Sequence, residues 1–254
     1  MKMRSFLAAT AVTALLPFSA TVASAITLDQ LVAGSTLTQG DVTFSGFKFD
    51  DRFGTDTTGG LPDRTDAAFP GDRSVDASEI GITTSSTSST VSLTATIDPA
   101  ISIAGEGSPT LARIYDFFFD FTVTVAGTSV RTLDSVALGD GDLFATGNGV
   151  SEIIFDIAGI SGRNDLEIFE APGLGFSQSS DTTTLASVKS LDFLGQIEGD
   201  TRDGDTAGIS TFTITFDLGG VAPPPPHVIP VPAGLPLLLT GLVGLGLARR
   251  ARRG

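Results

Sequence analysis

Asp116-Phe117-Phe118-Phe119-Asp120-Phe121-Thr122-Val123-Thr124-Val125 is the stretch that decides the fold. Phe117, Phe119, Phe121, Val123 and Val125 share one parity, and Asp116, Asp120, Thr122 and Thr124 oppose them. Successive side chains of a β-strand point to opposite faces, so this period of two belongs to a strand with one face in a core and one in water. The pattern returns on both sides. Val91, Leu93, Ala95 and Ile97 alternate with Ser92, Thr94 and Thr96, while Phe212, Ile214, Phe216 and Leu218 alternate with Thr213, Thr215 and Asp217. Weaker runs lie at 42–49, 130–136, 152–157, 166–169, 185–188 and 191–197. In the first of these the apolar parity switches at Gly46, from Val42 and Phe44 to Phe47 and Phe49, which predicts a bulge.

Turn signals separate the runs: Asp140-Gly141, Asn148-Gly149, Asp203-Gly204 and the Gly/Pro-rich residues 59–71. Only a turn near residues 27–32 carries helical spacing. About nine short strands with such turns predict an all-β body, an antiparallel β-sandwich or jelly roll. The 18 phenylalanines fall mainly on inward parities and read as core.

Two segments outside this body read as addresses. Lys2 and Arg4 precede an apolar run at 6–18, and Ala23-Ser24-Ala25 supplies small residues for signal peptidase. Residues 1–25 are therefore expected to be a cleaved signal peptide, with Ile26 the mature N-terminus. The β-sandwich body would follow at 26–221. A stiff spacer at 222–228 contains the prolines from Pro223 to Pro226. Ile229-Pro230-Val231-Pro232-Ala233 comes next, then an apolar stretch at 233–248, then Arg249, Arg250, Arg252 and Arg253. As a helix the 16 apolar residues span ~24 Å, against ~30 Å of bilayer hydrocarbon. The stretch is therefore expected to form a marginal transmembrane helix, its arginines held on the cytoplasmic side.

That order of prolyl motif, apolar segment and basic end, at residues 229–254, resembles the VPLPA-CTERM type of PEP-CTERM sorting domain, with Ile229 and Val231 at the aliphatic positions. The resemblance implies export from a Gram-negative bacterium and handling by an exosortase-like membrane peptidase. It also implies a periplasmic body held at the inner membrane and then delivered to the cell surface or beyond, in association with exopolysaccharide and biofilm matrix. The segment Gly40-Asp41-Val42-Thr43-Phe44-Ser45-Gly46-Phe47 likewise looks like the opening of many sandwich-type proteins that carry this tail.

Charge and composition narrow what the body does. All 29 acidic residues lie in the body with nine of the 15 basic ones, so nine positive charges meet 29 negative ones for a net −20. A surface of that sign repels phosphate backbones, and no nucleic-acid partner is expected. Cysteine is absent, which removes disulfides, thiolate metal sites and thiol catalysis. The sole histidine, His227, sits in the spacer, so a Ser/His/Asp system in the body lacks its base. Trp is absent and Tyr115 is the single tyrosine, which leaves little for stacking a sugar ring between paired carboxylates. No enzyme activity is expected, and no cofactor.

Two acidic glycine loops remain, 139–143 and 198–205. Asp140, Asp142, Asp200, Asp203 and Asp205 put oxygen ligands on turns of the kind that calcium uses, although neither loop follows the EF-hand order. They read either as hairpin turns on an acidic surface or as calcium sites. The all-Ser/Thr run at 83–90 reads either as a glycosylated polar loop or as an exposed strand. Two functions stand side by side: a non-enzymatic surface or matrix protein, and a calcium- or carbohydrate-binding adhesion module.

Overall fold

The computed structural model describes residues 25–51, 73–105, 113–139, 141–159, 165–201 and 204–220. Ala23, the residues of the 229–233 motif, the four terminal arginines, Asp140 and Asp203 lie outside them. The chain divides after Gly220 into two units, Met1–Gly220 and Val221–Gly254, and the fold below belongs to the first.

Among the described residues the early strands are β1 (Ile26–Thr27), β2 (Leu37–Gln39), β3 (Val42–Asp51), β4 (Ile80–Ser86), β5 (Thr90–Ala104), β6 (Arg113–Val125) and β7 (Thr132–Gly139). The later ones are β8 (Leu143–Ala145), β9 (Val150–Ala158), β10 (Asp165–Ala171), β11 (Phe176–Gln178), β12 (Asp181–Val188), β13 (Ser190–Thr201) and β14 (Thr206–Gly219). One short helix, α1 (Leu28–Val32), buries Leu28 and Leu31. The strands form two antiparallel sheets of seven. The first runs β1-β4-β5-β14-β7-β12, with β8 also on β14; the second runs β11-β10-β9-β13-β6-β3-β2.

The quoted phenylalanine run forms β6, beside the central strand β13 of the second sheet. β6 pairs with β13 in unbroken register from Thr124–Ser190 to Arg113–Thr201, and every apolar residue of its inward parity is buried. The first sheet meets it through β14. Phe212 packs edge-on to Phe119 at 6.2 Å between ring centroids, and Phe216 lies edge-on to Phe193 at 5.4 Å and 5.8 Å from Phe44. The two inward faces thus share one hydrophobic cluster, which makes the architecture a β-sandwich. Burying a phenylalanine contributes roughly 1.5–3 kcal/mol, so this cluster is the main source of stability in a chain without disulfides.

The bulge at Gly46 is present. The β3–β6 register shifts between Ser45 and Lys48, Gly46 has φ +64°, and Phe47 and Phe44 both end up buried despite their opposite sequence parity. A second shift, opposite Pro99 of β5, falls between Ile209 and Thr211 of β14, where proline has no N–H to give to the ladder. The Ser/Thr run resolves as strand and turn: residues 83–86 finish β4, and the Thr87 hydroxyl accepts from the N–H groups of Ser89 and Thr90 before β5 begins.

Candidate functional site

The outward face of the second sheet concentrates carboxylates and apolar side chains in alternating positions. One row across β10, β9, β13 and β6 reads Phe169, Glu152, Glu198, Asp116. The next reads Glu167, Ile154, Gln196, Phe118. Directly opposed like charges destabilise a sheet unless something compensates. Here the Gln196 amide does so in part, donating to Glu198 at 2.8 Å and to Asp116 at 3.2 Å. Glu152 lies between Glu198 and Glu167. Burial, hydrogen bonds to both neighbouring carboxyls and their negative charge push its carboxyl up to about 7. Below neutral pH the cluster therefore holds a proton. Burial likewise raises Asp120 in the same face, opposed by the positive charge of Lys48.

Beside Glu152 the sheet edge folds into a pocket of about 180 Å³, lined by Glu152, Glu167, Phe169, Leu174 and Phe176 among others. The connection from β10 to β11 forms its outer wall, with Gly175 in the left-handed conformation at φ +71°. Leu174 is 67% exposed and Phe176 63%, so both present apolar surface to water. Gln178 anchors this edge by donating from its amide to the Glu167 carbonyl at 2.7 Å. An open apolar ring beside carboxylate acceptors can hold a ligand with an apolar face and a hydroxylated rim.

The acidic loops singled out in the sequence are arranged differently. The Asp142 carboxylate accepts from the Ser210 hydroxyl at 2.6 Å, while its backbone pairs with Thr211 and Ser210. The Asp205 carboxylate accepts from the Asn148 N–H at 2.8 Å and ties down the 146–149 turn. These two residues flank opposite ends of the short β8–β14 ladder. Asp200 stands on the outward face of β13, between Val150 and Ile114. Among the described residues no group of three or more His, Cys, Asp or Glu side chains is placed to hold a metal ion.

Sequence reasoning passed over Glu152, Glu167, Phe169 and Phe176. Phe169 only closes the predicted run at 166–169, and Phe176 lies in no predicted strand. The available signal was a phenylalanine on the same parity as Glu167, which already marks a face that is not wholly solvent.

No family model matches the chain, and neither does any curated protein. Two solved structures show slight similarity. One is the module TmCBM61 in complex with β-1,4-galactotriose, at 10% identity and a TM-score of 0.26, covering 52% of this chain and 85% of that one. The other is CBM86, a low-affinity xylan-binding module from Roseburia intestinalis, at 12% identity and a TM-score of 0.19, covering 47% of this chain and 96% of that one. Likenesses at these scores carry neither fold nor ligand across to this chain.

Proposed function

We propose that this chain is an exported bacterial surface protein whose β-sandwich binds polysaccharide through the carboxylate and phenylalanine face of its second sheet. The observation that carries the reading is the pocket in which exposed Phe176 stands beside Glu152 and Glu167. Sugar rings offer an apolar face for such a ring and hydroxyls for such carboxylates. The signal peptide at 1–25 and the sorting tail at 229–254 supply delivery, through signal peptidase and an exosortase-like peptidase, to a matrix where such a ligand is abundant.

The role is binding rather than turnover. Glycoside hydrolysis needs two carboxyls on either side of the bond, ~5–5.5 Å apart for retention and ~6.5–9.5 Å for inversion. Glu152 instead touches Glu167 and Glu198 through hydrogen bonds, which leaves no gap for a sugar between it and either partner.

The test is a glycan microarray followed by affinity electrophoresis of the exported protein in gels that contain the polysaccharide it captures. Phe176→Ala with Glu152→Gln is expected to weaken retardation at least tenfold while circular dichroism stays unchanged. Retardation equal to wild type would remove this face from the reading.

A further inference from the structure

The outward face of the first sheet has the opposite chemistry. One row across β4, β5, β14 and β7 reads Ser85, Ser92, Thr215, Ala137, and the next reads Thr83, Thr94, Thr213, Gly139. No charged residue occupies these rows, in a body of net −20. Neighbouring strands put these positions ~4.8 Å apart, and same-face residues follow every ~6.8 Å along a strand. The hydroxyls are oriented in pairs, Ser92 with Thr215 at 2.9 Å and Thr94 with Thr213 at 3.0 Å. Each pair spends one O–H on itself and keeps the other, with spare lone pairs, for a ligand.

Over β7 this face deepens into a groove of about 330 Å³. Ala137 and Gly139 leave its floor almost free of side chain, Thr213 and Thr215 line one wall, and Ser179 and Ser180 line the other. The volume lies within the range of small-molecule sites. We propose that this groove is a second binding site, separate from the carboxylate face, for a neutral saccharide segment of a polysaccharide.

The charges select the ligand class. An anionic polymer meets the field of the acidic body and finds no cation among the described lining residues to offset it. A cationic ligand finds no carboxylate among the described lining residues, although the opposite sheet offers many. An apolar ligand would strip water from the wall hydroxyls and give nothing back, at a cost of roughly 1–3 kcal/mol for each buried group left unpaired. A neutral polyhydroxyl chain avoids all three penalties: it exchanges hydrogen bonds with the walls and lays its ring over the bare floor.

Affinity electrophoresis of the protein purified from cells tests the proposal, using gels with neutral hydroxyethylcellulose or anionic polygalacturonate and a panel of further neutral glycans. Thr213→Val with Thr215→Val removes hydroxyls and keeps shape; Ala137→Leu fills the groove by a different route. The expected result is retardation by at least one neutral polymer, weakened at least tenfold by either change and untouched by Phe176→Ala, with no groove-dependent retardation by polygalacturonate. Retardation that both groove variants retain would overturn the proposal, as would failure of every neutral glycan to retard the wild type. Sedimentation supplies the remaining outcome: a dimer that dissociates in Thr213→Val/Thr215→Val would assign the face to a second copy of the chain and overturn the saccharide site. Loss of binding in Phe176→Ala with both groove variants unaffected would overturn the groove and support the carboxylate face, whereas unchanged binding in Phe176→Ala with loss in both groove variants would count against the carboxylate face alone.

Discussion

Tyr115 lies flat across Gly199, its partner in the β6–β13 ladder, so that a Cβ at position 199 would fall inside the van der Waals envelope of the phenol ring. Ser151 of β9 completes the row on the far side of Gly199. An aromatic laid over a glycine fills the space that a side chain would otherwise take, and here it needs every part of that space. Phe155 lies over Gly195 in the same way, two rows along. Gly199→Ala is therefore expected to cost about 2 kcal/mol by overpacking, a fall of ~4–8 °C in Tm for a domain of this size. Gly127→Ala is the control: nothing lies within 4 Å of a Cβ there, and its Tm is expected to match wild type. Differential scanning calorimetry of both variants distinguishes a ring held in place from one free to yield.

The polar ends of that row differ in value. The Tyr115 hydroxyl is buried beside Ser151 yet makes no well-formed hydrogen bond, and burial raises its ionisation far above the ordinary phenol range. Ser151 itself is fully employed. Its hydroxyl accepts from the Gly208 N–H at 2.9 Å and donates to the Phe144 carbonyl at 2.9 Å, joining the second sheet to β14 and β8 of the first. Tyr115→Phe is expected to be neutral or slightly stabilising. Ser151→Ala is expected to cost about 1–3 kcal/mol, because it leaves a buried N–H unpaired. Urea unfolding of the pair measures both, and equal midpoints would refute the assignment.

Phe121 is the densest point of the aromatic core. It stacks on Phe193 at 5.0 Å with 6° between planes and also meets Phe44, Phe47, Phe119 and Phe155. Phe121→Ala is expected to remove about 3–5 kcal/mol, a large part of the ~5–15 kcal/mol typical of a domain. A Phe121→Asp chain is expected to stay unfolded, since the buried carboxylate finds no partner. A cooperative melt of Phe121→Asp near the wild-type temperature would contradict this packing.

The alternation that makes Phe121 a core residue was readable in the sequence, and so was the parity switch at Gly46, because both obey a local period of two. β4 was harder to read. Beyond Ile82 it offers Thr and Ser on both faces, and the pattern that identifies a strand vanishes where its outer face becomes a hydroxyl row. β8 and β11 are three residues each, too short for any period. The carboxylate face was illegible for a different reason: Glu152 and Glu198 become neighbours only through the β9–β13 register. No local spacing connects them. Asp142 and Asp205 show the converse, since acidic residues that look alike in sequence serve as separate turn anchors.

Glu152 makes stability depend on pH. Its carboxyl titrates at about 7 in the folded state against 4.5 as an ordinary side chain, so between those values the native state binds more protons than the unfolded one. Stability from this group is then fully present below pH ~4.5 and is lost as pH rises through ~7. Glu152→Gln keeps the hydrogen-bonding shape without the charge. Its Tm is expected to exceed that of wild type at pH 8 and to match it at pH 4.5, where other acids affect both proteins alike. A constant difference across this range would place the proton elsewhere in the cluster.

The proposed delivery by the tail makes separable predictions for its two devices. Proline lacks an N–H for a helix and disfavours helical backbone in the residue before it, so on the proposed reading Pro230 and Pro232 would keep the 229–233 motif accessible as peptide. On the same reading Arg249, Arg250, Arg252 and Arg253 would set orientation, because moving them across a bilayer is costly. Pro230→Ala with Pro232→Ala is expected to leave the protein inserted but unprocessed, giving an intact mass that retains the terminal residues. Replacing the four arginines by serine is expected to leave the motif intact but misplace it, with the C-terminus exposed to protease on the outside of spheroplasts. If the proline variant is instead processed at the wild-type rate, the motif is only a spacer and the tail an ordinary anchor. In that case the body would still reach the periplasm, but its presentation to extracellular polysaccharide would need another route.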